Sequence, residues 1–178
     1  MTTARTLVPV ATKRNRCSAG LVMFRWSGSA LQVFLVHPGG PYWVHRDAGA
    51  WSIPKGEYVA PEDALAAALR EVREETGFSP PGPYLALTAC TQPGGKRVQA
   101  WAAEAPDLEA AQLRSNAFTL EWPPRSGVQQ QFPEVDRGAW FTLDEAHTKL
   151  SAGQRPLLHE LAAKLAQCVS GTPVAPMR

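Results

Sequence analysis

At 178 residues and a formal net charge of +2, the chain is long enough to bury one sizeable core without staples, and its charge argues for neither nucleic acid nor a membrane surface as partner. Charged residues at 19% and apolar ones at 44% exclude a disordered chain. No apolar run has the length of a membrane span. Cys17, Cys90 and Cys168 are odd in number and far apart, which predicts a reduced, cytoplasmic interior rather than a disulfide framework.

In chain order, residues 1–15 read as a flexible leader. Its neighbourhood holds Lys13, Arg14 and Arg16, a solvated cluster with no interleaved aromatics. "CSAGLVMFRW" and "LQVFLVHP" are β-type runs joined by "SGSA", hence a hairpin. "GGPYWVHRDAGA" is a loop, and "WSIP" a short strand before Lys55 and Gly56. Pro61 suits a first helical turn, so the spacing predicts a helix through "EDALAAALREVREET", stopped by Gly77 and "SPPGP". "YLALTACT" and "RVQAWAAEA" are strands about the turn "PGGK". The segment from Pro106 to Arg137 reads as mostly irregular, "GAWFTL" as a short strand, and "DEAHTKL" and "PLLHELAAKLAQCV" as two helices. Residues 170–178 read as a flexible tail. The expectation is one α/β domain over residues 16–169, with a mixed β-sheet between helices.

On a helical wheel Glu71, Glu74 and Glu75 share one face, while Leu65, Leu69, Val72 and Thr76 form the adjoining stripe. A solvated acidic face is the ordinary explanation, and Arg70 and Arg73 offer partial neutralisation. But Glu71 and Glu75 are a like-charge i, i+4 pair, costing roughly 0.2–0.5 kcal/mol in an isolated helix. They also lie toward the helix C-terminus, where the dipole disfavours anions. Hard oxygen ligands in this pattern suit Mg²⁺ or Mn²⁺, whose charge reverses the penalty.

Gly56, Glu62, Arg70, Glu71, Val72, Glu74, Glu75, Gly77 and Phe78 fill every fixed position of G-x5-E-x7-R-E-U-x-E-E-x-G-U, where U is bulky and apolar. A chance match is about 10⁻¹⁰ per starting point. The pattern resembles the signature of the Nudix hydrolases. The resemblance implies an α/β/α sandwich and a metal-assisted attack of water on a phosphorus of a nucleoside diphosphate linked to another group. It also implies that Glu71, Glu74 and Glu75 hold Mg²⁺ or Mn²⁺, with the Gly56 carbonyl as a further ligand. Glu62 and Arg70 then form a structural pair fixing loop against helix. Glu134, six residues before Trp140, matches the extra carboxylate common in the family, as ligand or general base; Asp136 and Glu121 are weaker candidates. Either Glu71 or Glu134 could activate the water.

For the substrate, "PKG" resembles the diadenosine polyphosphate hydrolases, so Lys55 is a candidate phosphate contact, against the reading of a solvated loop lysine. Where those enzymes often carry a tyrosine past the motif, Gly94, Gly95 and Lys96 stand here. Pro93 matches a mark of ADP-ribose hydrolases, or is a turn proline. Tyr42 and Trp43 could stack a purine or close a core edge. Arg46, Lys96 and Arg125 are candidate polyphosphate contacts. "SNAFTLEWPPRSG" resembles a bacterial subgroup of predicted nucleotide pyrophosphohydrolases and is a candidate lid or base pocket. His37, His45, His147 and His159 lack ligand spacing and read as structural. The implied partner is a small nucleotide, with no nucleic acid or membrane, in a monomer or homodimer. Dinucleoside polyphosphates lead, followed by nucleoside triphosphates and ADP-sugars. A non-catalytic nucleotide-binding module is the alternative of another class, and an interaction protein with a merely solvated acidic helix is a third.

Overall fold

The computed structural model describes residues 17–92 and 94–169; Lys13, Arg14, Arg16 and Pro93 lie outside them. The predicted hairpin forms as β1 (Cys17–Ser27) and β2 (Ala30–Pro38). "WSIP" makes only isolated bridges at Trp51 and Ser52, and the pairing strand begins later, as β3 (Lys55–Tyr58). The reason is register: Gly56 faces Ala19 and Lys55 faces Gly20 across β1. A Cβ on Gly20 would lie 2.7 Å from the Pro54 carbonyl, so only glycine admits the crossing chain there.

The signature helix is α1 (Ala64–Thr76). It starts later than Pro61 suggests, because the Asp63 side chain accepts from Ala66 N at 3.0 Å and caps the first turn. Gly77, at φ 76°, closes it in the left-handed conformation. β4 (Leu85–Thr91) and β5 (Arg97–Glu104) follow as expected. Within "106–137" the structure departs from the irregular expectation: β6 (Ala117–Glu121) and β7 (Gln129–Pro133) pair as a separate two-stranded hairpin. Exposed Gln129, Gln130 and Gln131 give β7 no apolar alternation to read. β8 (Val135–Thr142), α2 (Leu143–Lys149) and α3 (Arg155–Val169) are the last elements of the described residues. Thr142 and Glu145 cap α2 reciprocally.

The main sheet has six strands, ordered β4-β5-β1-β2-β8 with β3 also on β1. It is mixed: β1 and β5 run parallel, the other pairs antiparallel. Both faces are covered, which is why β1 reads as a continuous apolar run. Val22, Phe24, Val33 and Leu35 face Leu157, Leu158 and Leu161 of α3. Leu21, Met23, Phe34 and Val36 face Val72 of α1. Ala67 and Ala68 meet Ala19 directly, so these small side chains let α1 approach the sheet closely; Leu65 stays half-buried.

One irregularity bears on the site. β2 and β8 slip register between His37, opposite Arg137, and Pro38, opposite Val135. Asp136 is therefore an extra residue on β8, a bulge. Its effect shows in the packing: Ala139 and Phe141 join the α3 side, yet Val135 joins the α1 side with Trp140. The bulge puts Val135 on the face opposite to that of Ala139 and Phe141.

Candidate active site

α1 carries its glutamates to the edge where β3 and the loop before β8 meet. The Glu71 carboxylate lies over Gly56, whose hypothetical Cβ would be 1.9 Å from it; any side chain there would displace the carboxylate. Glu75 accepts a hydrogen bond from the Lys55 main-chain N–H at 2.9 Å. Arg70 is the local counter-ion. It forks onto Glu62 at 2.9 and 3.2 Å, and its Nη1 reaches Glu71 at 2.7 Å and Glu74 at 3.1 Å. Those contacts raise its own pKa well above the usual guanidinium value.

Glu134 is held by its backbone: its N–H donates to Asn116 O at 2.8 Å, and its carbonyl accepts from Gly39 N at 2.9 Å. Asn116 N in turn donates to Glu74 O at 3.1 Å, which ties the loop to α1. The Glu134 side chain is exposed. Burial pushes the Glu75 carboxyl up to about 7, opposed by the attraction of Lys55, and repulsion from Glu71 and Glu134 adds to it. Burial also raises Glu71, opposed by Arg70, with Glu74 and Glu134 pushing it further. Burial lowers Lys55, which Glu75 counteracts and Lys96 reinforces.

Of these carboxylates Glu75 and Glu134 line a cavity of about 330 Å³, with Lys55, Trp43, Trp51 and Val36 also among its walls. That size falls within the range of small-molecule sites. A larger groove of about 490 Å³, around Pro81, Tyr84 and Leu165, holds no part of the signature.

The remaining candidates divide. Trp43 lines the cavity, with the Arg46 guanidinium 5.2 Å from its ring centroid. Tyr42 instead packs edge-on against Trp122 of the β6–β7 turn, centroids 5.1 Å apart. Lys96 pairs with Glu57 at 2.9 Å, and Arg125 sits in that same turn at φ 64°; neither lines the cavity. Glu121 accepts from Gly127 N at 2.9 Å, and Asp136 lies 2.8 Å from His37. His147 and His159 touch ring to ring, and His45 is exposed. Gln92, Ser52 and Gln154 also line the cavity and had no sequence signal, since Gln154 reaches it from a hundred residues further along the chain, bonding Ile53 N at 2.9 Å.

As a cation site the donors fit by chemistry. All are hard oxygens, and Glu71, Glu75 and Glu134 repel one another, which a divalent cation would relieve. Among the described residues no three His, Cys, Asp or Glu converge on one point: Arg70 draws Glu71 and Glu74 toward itself. Mg²⁺ needs only one or two carboxylates and keeps several waters.

A protein-family model described as "NUDIX domain" matches residues 15–161. None of the curated proteins compared matches the chain. Among solved structures, a C. elegans Ap4A hydrolase in a binary complex is 22% identical, covers 84% of this chain and 98% of its own, and superposes at TM-score 0.58. The Nudix domain of Shewanella oneidensis NrtR with ADP ribose is 20% identical, covers 89% and 94%, and gives 0.58. A Listeria innocua mutT/nudix protein is 16% identical, covers 89% and 99%, and gives 0.60. At these identities the likenesses speak for the fold. With that fold, the complete signature and a family match over most of its length, the chain belongs to the Nudix family, as a pyrophosphohydrolase acting on nucleoside diphosphate derivatives.

Proposed function

We propose that the chain hydrolyses dinucleoside polyphosphates with Mg²⁺ or Mn²⁺, in the cytoplasm. The observation that carries the reading is a cavity lined by Glu75, Glu134, Lys55 and Trp43, with Glu71 near enough to repel both of those carboxylates. "Pro54-Lys55-Gly56" supports the substrate class, as does the occurrence of this fold in an Ap4A hydrolase. Nudix enzymes generally use divalent metals, and Glu71, Glu74, Glu75 and the Gly56 carbonyl would hold them here. When bound, the cation draws charge from the phosphoryl oxygens and lowers the pKa of an attacking water.

The chain's own groups do the rest. Lys55 presents a point charge to a phosphate oxygen. Trp43 offers a flat apolar face to a base. Arg70, with Glu62, locks α1 against β3 and keeps Glu71 oriented. Glu134 is the general base: its carboxylate accepts no hydrogen bond from another described residue, whereas Glu71 is committed to Arg70. A base must be free to take the proton of the water it faces. Lys96, Arg46, Arg125 and Tyr42 act further out, on the distal arm of the substrate.

The test is a panel of dinucleoside polyphosphates, nucleoside triphosphates and ADP-sugars with products identified in heavy-oxygen water. The label locates the phosphorus attacked. Highest kcat/KM on a dinucleoside polyphosphate is expected; preference for a triphosphate or ADP-sugar would reassign the substrate. No turnover with nucleotide-dependent thermal stabilisation would show a binding module instead. Glu75→Gln should lose Mn²⁺ affinity and turnover with the fold retained. Glu134→Gln should lose roughly 10²–10⁴-fold in kcat.

A further inference from the structure

His37 is fully buried, at 0% exposure, in β2. Its ring reaches in two directions. Nδ1 lies 2.8 Å from Asp136 Oδ1, and Nε2 donates to the Arg46 carbonyl at 2.7 Å. A carboxylate and a carbonyl are both acceptors, so the ring is bracketed by two hydrogen-bond demands. A position wanted only for packing, edge-on to Trp51 at 5.2 Å between centroids, would be served by an apolar side chain without the cost of burying polar nitrogens.

The two partners lie beside two different parts of the site. Asp136 is the bulge residue, two positions from Glu134. Its carboxylate also lies 3.9 Å from Arg137 Nε. Arg46 closes the turn that carries Trp43, its N–H donating to Trp43 O at 2.8 Å. One ring therefore joins the backbone that aims Glu134 to the backbone that aims Trp43.

We propose that His37 is a positioning residue with two separable arms. The Nδ1 arm fixes the bulge, and through it Glu134. The Nε2 arm fixes the loop, and through it Trp43. The inference rests on the roles proposed above for those two residues. Misplacing a base that acts on the water lowers kcat; misplacing a group that binds substrate and transition state alike raises KM. A histidine needed only for stability would move neither constant selectively.

Two amides separate the arms. The nitrogen of Asn falls near Nδ1 and can donate toward Asp136; the longer Gln reaches toward Arg46 O. On the best substrate of the panel, His37→Asn should raise KM roughly tenfold with kcat held within about twofold, and His37→Gln should lower kcat roughly tenfold with KM held within about twofold. Asp136→Ala, at an exposed position, should reproduce the kcat pattern even where a His37 variant fails to fold. Glu134→Gln and Trp43→Ala run alongside. If these two shift kcat and KM respectively while the amides change both constants in one proportion, His37 is a structural residue and the inference falls alone. If Glu134→Gln and Trp43→Ala leave both constants at wild-type values, the proposed roles fall and the inference with them.

Discussion

Glu75 shows what burial does to a charged residue meant for a cation. Burial sets its carboxyl above the ordinary 4.5, at about 7, although Lys55 pulls the other way. In protein stripped of divalent cations, the folded chain keeps a proton that the unfolded chain has released. A raised folded pKa gives stability that is whole below about pH 4.5 and lost as pH rises through about 7. The melting temperature of chelator-treated protein should therefore fall between about pH 5 and about pH 7.5, and Glu75→Gln should flatten that fall. Mn²⁺ binds the ionised form, so its stabilising effect should grow over the same interval. An equally steep fall in Glu75→Gln would place the titration elsewhere.

At the scale of elements, Gly39 joins the β6–β7 hairpin to the catalytic edge. A Cβ on it would lie 1.9 Å from the Pro133 carbonyl oxygen, a backbone atom that cannot rotate aside. Its N–H holds Glu134 O. Gly39→Ala should push β7 outward, carry Glu134 with it, and lower kcat/KM by roughly tenfold or more with a lowered melting temperature, read by steady-state kinetics and thermal denaturation. Little of this contact was legible in the sequence. The signature was: Gly56 through Phe78 is contiguous, and an i, i+4 repulsion without a local purpose marks it. Gly77 announced its own cap. Pro61 did not mark the helix start because Asp63 offers a better cap, a side-chain oxygen at hydrogen-bonding reach. The hairpin stayed hidden because its second strand is glutamines. His37, Asp136 and Gln154 act across distances of a hundred residues or so, which periodicity does not see.

For the whole molecule, the sheet is a wall between two unequal sides. α1 and the signature lie on one, α3 and the largest buried cluster on the other. Leu161, fully buried against Val22 and Leu35, should cost roughly 2–5 kcal/mol as Leu161→Ala, seen as a lower denaturant midpoint. kcat and Mn²⁺ affinity of the folded fraction should remain, because none of the signature's carboxylates packs there. Loss of metal affinity at full folding would mean the two sides communicate through the sheet.

The extra residue at Asp136 makes the site sensitive to length rather than identity. Strand side chains alternate, so one residue more or fewer between Pro133 and Gly138 would turn Val135 outward and Glu134 to the opposite side. Substitutions along this stretch change a contact; a single-codon insertion or deletion changes the phase of the whole segment. Spacing should therefore drift more slowly than composition there, and an alignment that closes up the bulge would superimpose the wrong carboxylate.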